Sequence, residues 1–402
     1  MFAVTDQKPT AVANPFARPE GRRVWVTGVR AAGLWGLSEG VLVVWAVVVH
    51  LASPGAAAFF AGRDWFFTLF FHWDSSYFAG IARDGYFGSS SLRTWPAFFP
   101  GYPLTVRFAT SLAGLSHPTS AQITVAMGVV AIVGSLVATL AFSRLVEEKY
   151  GPRAALAATA LFVAGPYAIF LHASYSEALF LAFAIGAWLF ANRGNWAGAG
   201  LLAAGASLTR VNGVFLVAAI VLLYVLQRKR SQKPYLARAL GMAALGMAGC
   251  LAYFVYLFVK TGDLLAWQHA EYLGWRRQFE APWSTFMATF DEVIHPSNWS
   301  DLVQAVAEIL FAAIFILASV VLLRRRMWPE AILVCLTVVS LMTSSSYISL
   351  ARTSVVLFPL PILVTSALFS HRRRWVYWVV LVAGAGLLLF NTRQFTLGLW
   401  TD

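Results

Sequence analysis

The 402-residue sequence predicts an all-α, polytopic membrane protein, with about 11 transmembrane helices and amphipathic helices in a large first outer loop. Three observations carry this reading. Apolar residues make up 59% of the chain and charged residues 12%, with a mean hydropathy of +0.68, well outside the range of soluble globular domains. Apolar runs near the roughly 20 residues that a bilayer crossing needs recur along the chain. The basic residues behind the net charge of +12 lie in short clusters between those runs, where determinants of membrane topology sit. That distribution argues for loops facing anionic lipid and against a nucleic-acid partner.

Taken in order, the apolar segments fall near residues 33–52, 120–143, 154–172, 177–192, 196–209, 213–227, 236–259, 302–323, 329–344, 354–370 and 375–391. Ahead of the first, residues 1–32 carry Arg18, Arg22, Arg23 and Arg30 without a short apolar core and small-residue cleavage site. The first apolar run is therefore expected to remain as a span. Residues 98–115, FFPGYPLTVRFATSLAGL, fit either a crossing or a surface-lying helix, because Pro100, Gly101, Pro103 and Arg107 interrupt the apolar pattern. Charge decides between the two. With 98–115 on the surface and the N-terminus cytoplasmic, Arg144/Lys149/Arg153, Arg193, Arg228/Lys229/Arg230/Lys233, Arg324 to Arg326 and Arg372 to Arg374 all face the cytoplasm. A crossing there would export the later clusters. The organisation expected is a cytoplasmic segment 1–32 and a single transmembrane domain 33–402, with a large outer loop 53–119 and a second outer segment 260–301. Cys250 and Cys335 lie inside apolar runs, with no spacing that suggests a disulfide or a metal cluster.

Nearly every polar residue that breaks the apolar pattern then falls on the outer side. In HWDSSYFAGIARDGYF (72–87), Tyr77, Phe78 and Ile81 follow Asp74 at the spacing of an amphipathic helix lying along the membrane. Asp74 is either the N-cap of that helix or a general base held among Phe71, Trp73 and Tyr77. The prolines of RTWPAFFPGYPL force non-helical backbone, which is tolerated at membrane depth where it is buried in protein or lines a cavity. In LHASYSEAL, Ser176 and Glu177 suit the start of a helix. In SLTRVNG, Arg210 lies near a helix end beside Asn212, and an arginine at membrane depth is expected to have a partner or to snorkel to the interface; its five donors suit a phosphate. Arg107 and Arg352 pose the same choice. Trp267, Trp275 and Trp283 with Arg276 and Arg277 read as an interfacial anchor, and Asn298-Trp299-Ser300 matches a weak glycosylation pattern. No Gly-rich nucleotide loop faces the cytoplasm, which argues against ATP or a nucleotide sugar.

HWDSSYFAGIARDGY, AFFPGYPL, PYAIFLHASYSEALF, GASLTRVNGV and GDLLAWQHAEYLGW, in this order and over most of the chain, resemble the PIG-V-type mannosyltransferase family. This family comprises the second mannosyltransferase of GPI-anchor synthesis and its bacterial relatives, within the glycosyltransferase C (GT-C) superfamily. SYISLARTSVVLFPL resembles, more loosely, the family's arginine-containing segment before a late Phe-Pro pair. The resemblance implies a GT-C fold and an inverting hexosyltransferase. Its donor would be a polyprenyl-phosphate mannose, its acceptor a lipid-linked or other glycan, and its product an α-mannoside. It places the essential aspartate at Asp74 in the first outer loop. Arg210, Arg352 and His172 are expected at the donor phosphate, and His72, Trp73, Tyr86, Arg107, Tyr175, Glu177 and Asn212 at the substrates.

One carboxylate suffices for such a transfer, because the phosphate leaves as a stable anion, whereas glycoside hydrolases pair two. No cofactor and no metal are expected. The setting expected is a bacterial plasma membrane with the site on the extracytoplasmic side. A polytopic lipid-sugar transporter or flippase is the rival from another class, and a GT-C enzyme using another polyprenyl-phosphate sugar the rival within it. The absence of an inverted internal repeat weighs against transport.

Overall fold

The computed structural model describes residues 24–53, 65–88, 91–228, 236–369 and 373–401. Residues 1–23 of the N-terminal segment, 54–64 and 89–90 of the stretch expected as the first outer loop, the basic cluster from 229 to 233 and Arg372 lie outside the described residues. The elements before the first long central helix are α1 (Val24–Ala52), the single turn α2 (Trp65–Thr68), α3 (Asp74–Asp84), a 3-10 turn at Trp95–Ala97 and α4 (Gly101–Leu112). Then come α5 (Ser120–Tyr150), α6 (Pro152–Val163), α7 (Glu177–Asn192), α8 (Trp196–Thr209), α9 (Asn212–Arg228) and α10 (Leu236–Thr261). The last third holds α11 (Ala266–Trp275), α12 (Pro282–Ile294), α13 (Trp299–Arg324), α14 (Trp328–Met342), α15 (Pro359–Leu368) and α16 (Arg374–Thr396). No strand occurs among the described residues.

A helix lies on each of the eleven apolar segments, and α1, α5, α10, α13 and α16 are long and apolar enough to cross a membrane. The chain is a multi-pass integral membrane protein. Those long helices turn apolar residues outward, among them Leu37, Val259, Leu317 and Val382, as a lipid-facing surface requires. Local chemistry sets their starts. Thr119 and Gln122 form a reciprocal capping box at the head of α5, and Asn298, the asparagine of the glycosylation-like tripeptide, instead caps α13 by accepting from the Asp301 N–H.

The remaining apolar helices are short. α7 has 16 residues, α8 14 and α15 10, and at about 1.5 Å per residue even 16 residues reach only ~24 Å of the ~30 Å hydrocarbon layer. Their ends therefore leave turns inside the protein, at His172 to Ser176, Arg210 to Val211 and Tyr347 to Val356, where unwound backbone is tolerated because protein surrounds it. Small residues let these helices approach closely, as membrane bundles require in the absence of a hydrophobic force between helices. A Cβ on Gly249 of α10 would collide with the Ala204 carbonyl of α8.

The described helices between α1 and α5 pack on these short helices and on α5. Residues 101–112 form the short helix α4, which packs on α3 and α5, and Gly101 sits so close to the end of α8 that a Cβ there would collide with the Thr209 hydroxyl. At the opposite end of the bundle, Arg144 pairs with Glu147 at 3.0 Å, Arg193 with Glu148 at 2.7 Å and Lys149 with Glu330 at 3.3 Å. Part of the basic charge read as a topology signal thus also ties helix ends together.

Candidate active site

The segments assigned to one side by charge meet around one cavity of about 170 Å³. Its wall takes Asp74 from α3, Phe98 from the proline-rich turn, Ser176 from the turn before α7, and Arg210 and Asn212 from the turn between α8 and α9. Trp267, Glu271, Trp275 and Arg277 come from α11 and its exit, Arg352 from the turn before α15, and Trp400 from beyond α16.

Asp74 is the first residue of α3 and not its cap. Trp73 occupies the N-cap position, with φ of 49° and no capping side-chain bond, in a region of backbone space that non-glycine residues rarely adopt. This kink leaves the Asp74 N–H to donate to Tyr175 Oη at 3.2 Å. Asp74 Oδ2 accepts from Arg352 Nη1 at 3.0 Å. The capping role is displaced because a guanidinium competes better for a carboxylate than the neutral first-turn amides do.

Arg352 continues a chain of charges. Its Nε donates to Glu177 Oε1 at 2.7 Å, and the same oxygen pairs with Arg210 Nη1 at 2.9 Å. Its guanidinium lies 4.4 Å from the ring centre of Phe170 and 4.6 Å from that of Tyr175, so aromatic faces replace part of the lost water. Arg210 Nη1 also donates to Ser176 Oγ at 2.9 Å. Ser176, expected as a cap, occupies the N-cap position of α7 without a capping side-chain bond. The side chain of Glu177 is 1% exposed and that of Arg210 24%, so the glutamate is sealed inside while the arginine reaches the cavity. Alternating charges Asp74, Arg352, Glu177 and Arg210 thus run from the cavity wall into the core and back.

The other expected residues have other positions. His172 Nδ1 pairs with Glu39 of α1 at 2.8 Å and is buried away from the cavity. Tyr86 donates to the Phe98 carbonyl at 2.6 Å and supports the proline-rich turn. Arg107 Nη1 reaches the Ala82 and Arg83 carbonyls at 3.4 Å, bracing the end of α3. Tyr175 donates to the His72 carbonyl at 3.1 Å, below Asp74. Trp73 packs edge-on against Trp400 at 4.8 Å and lines a small side cavity shared with Asp74 and Arg352. Asp84 pairs with Arg83 at the far end of α3.

His72 is buried against Phe395, and burial lowers its pKa from 6.5 to about 4. Between those values the unfolded chain binds the proton that the folded chain refuses, so stability rises with pH across the window and falls as the pH drops from 6.5 to 4. Thermal unfolding at pH 7 and pH 4 should therefore show an acid loss of up to about 3 kcal/mol that His72→Gln removes. An equal acid loss in both proteins would assign it to other groups.

The stretch read as an anchor helps build the site instead. It divides into α11 and α12. Trp267 Nε1 donates to the Ala97 carbonyl at 3.2 Å, and Trp275 packs against Tyr77 and Phe98 at 5.9 and 5.4 Å. Trp283 alone of the three tryptophans is fully outward, at 71% exposure. Burial raises the Glu271 pKa, Arg277 opposes that shift, and Asp74 adds to it. A carboxylate facing inward at Trp267 + 4 was visible in the sequence only as helical spacing on a stretch whose tryptophans suggested lipid headgroups.

The fold is also found by comparison. The crystal structure of ArnT from Cupriavidus metallidurans bound to undecaprenyl phosphate superposes with a TM-score of 0.51 at 14% identity, covering 88% of this chain and 76% of that one. The fold is thus the GT-C fold. The GPI alpha-1,6-mannosyltransferase 2 of Mus musculus is 35% identical over 146 residues, and that of Rattus norvegicus 34% identical over the same length. Each match takes in 35% of this chain and spans 29% of the relative. The model of the family described as Mannosyltransferase (PIG-V) matches residues 47–261, a stretch running from the end of α1 to the end of α10 that includes Asp74, Glu177 and Arg210. The chain belongs to the PIG-V mannosyltransferase family.

Proposed function

We propose that this protein is an inverting glycosyltransferase that moves mannose from a polyprenyl-phosphate-mannose donor to a hydroxyl of a lipid-linked or glycan acceptor, at the extracytoplasmic face of the membrane, forming an α-mannoside. The observation that carries this reading is an aspartate on the wall of a cavity whose other walls hold three arginines. Asp74 is the base. With Oδ2 tied to Arg352, Oδ1 is the oxygen available to take the acceptor proton. The acceptor oxygen bonds to the anomeric carbon from the face opposite the phosphate, the bond from that carbon to the phosphate oxygen breaks, and the phosphate leaves with the electron pair. Arg210 is the first choice for that developing charge, because it reaches the cavity, with Arg277 beside it. Arg352, bound to Asp74 and Glu177, orients the base. His172, paired with Glu39, supports the turn that carries Tyr175 and Glu177 rather than the phosphate. The aromatic wall of Phe98, Trp267 and Trp275 keeps water, a competing acceptor, away.

Transfer by purified protein in lipid vesicles, with radiolabelled polyprenyl-phosphate mannose and membrane extract as acceptor, tests the reading. Incorporation from that donor and none from a labelled nucleotide sugar is expected. Incorporation from the nucleotide sugar alone would overturn the donor assignment. Guanidiniums, not a metal, take the leaving charge in this scheme, so transfer should survive excess EDTA. Activity lost to EDTA and restored by manganese or magnesium would refute that part.

A further inference from the structure

Helical spacing puts Trp267, Glu271 and Trp275 at i, i+4 and i+8, one stripe of α11, and all three line the cavity that holds Asp74. The stripe is held firmly from behind. Ala266 and Ala270 are buried, Trp267 is bonded to the Ala97 carbonyl, and Trp275 is wedged against Tyr77 and Phe98. The carboxylate between the two indoles has an unmet need. Its nearest cation, Arg277 Nη1, stands 3.6 Å from Oε2, beyond hydrogen-bond reach, and Oε2 is a buried oxygen without a hydrogen-bond partner among the described residues. Asp74, Glu177, Arg210 and Arg352 are tied to one another by ion pairs, and the atoms left without a hydrogen-bond partner there, Glu177 Oε2 and Arg210 Nε, belong to side chains already held by those pairs.

We propose that Glu271, between Trp267 and Trp275, binds hydroxyl groups of the donor's hexose and so sets which sugar is transferred. Two indole faces with a carboxylate between them suit a pyranose, whose C–H faces pack on aromatic rings while its hydroxyls seek a strong hydrogen-bond partner. The donor's sugar, rather than the acceptor's, is favoured because Glu271 shares its cavity with Arg210 and Arg277. A hexose joined by one bond to a phosphate held by those arginines has to lie in that same cavity. This inference rests on the proposed donor class and adds the residue that recognises its sugar.

Binding of polyprenyl-phosphate mannose and of polyprenyl phosphate, measured separately on the full chain in nanodiscs, tests it. Wild type should prefer the mannosylated lipid, and Glu271→Ala should lose about tenfold of affinity for it, the effect of one or two bonds to an ionisable group, with polyprenyl phosphate bound as before. Glu271→Gln, which keeps a hydrogen-bonding head of the same size, should restore most of the preference, and Glu271→Ala should raise the donor KM without raising the acceptor KM. Undiminished preference in Glu271→Ala, a loss for both lipids alike, or a rise confined to the acceptor KM would each overturn the assignment to the donor hexose. Wild type that binds neither lipid would overturn the donor class itself and this inference with it, and is distinguished from the other outcomes by the wild-type measurement alone.

Discussion

Asp74→Asn should lower mannosyl transfer by roughly 10²- to 10⁴-fold in a protein that still folds, the range expected when a positioned proton acceptor is removed. Asparagine has the same shape, and its carbonyl oxygen accepts from Arg352 Nη1 as Asp74 Oδ2 does at 3.0 Å, so the turn at Trp73 and the bond from residue 74 N–H to Tyr175 persist. What disappears is the capacity to take the acceptor's proton. The measurement is single-turnover transfer from polyprenyl-phosphate mannose, beside thermal unfolding and donor binding of the same preparation. Loss of turnover with donor binding kept would identify the chemical step as the one that fails. Unimpaired transfer would leave Asp74 as no more than the electrostatic partner of Arg352.

Much of the architecture was legible because bilayer physics writes it into the chain. A helix lies on each of the eleven apolar segments, and the stretch 98–115, whose prolines and Arg107 interrupt the apolar pattern, holds only the 12-residue helix α4. The family motifs drew attention to Asp74, Arg210 and Glu177, and the structure brings all three to the cavity or to the charge network behind it. Pairwise partnership was not legible. Nothing local says that Arg352 reaches back to Glu177 and Asp74 across 175 and 278 positions of sequence, and the helix signals around Asp74 and Ser176 suggested caps that neither side chain forms. His172, Tyr86 and Arg107 looked like substrate ligands because polar groups near membrane depth stand out. Each instead satisfies a neighbouring carboxylate or carbonyl. Glu271 and Arg277 were hidden for the converse reason, since tryptophan-rich amphipathic helices look alike whether they face headgroups or a cavity.

Glu177 should matter more to stability than any other member of the network. Its side chain is 1% exposed and stands between the guanidiniums of Arg210 and Arg352, so Glu177→Leu leaves two cations facing each other with Asp74 as the remaining anion. Removing one partner of a buried ion pair typically costs about 3–5 kcal/mol, most of it the cost of the charge left behind. Denaturation midpoints in mild detergent should show that loss for Glu177→Leu and a smaller one for Glu177→Gln, which keeps hydrogen bonds to both arginines. The double variant Glu177→Leu, Arg210→Met, which restores charge balance, should recover part of it. A Glu177→Leu protein as stable as wild type would mean that the arginines are compensated elsewhere. The same balance links stability to function. A lipid phosphate entering beside Arg210 supplies the negative charge that Glu177→Gln lacks, so polyprenyl phosphate should raise the Tm of Glu177→Gln more than that of wild type, because a ligand stabilises most where it meets the least satisfied charge.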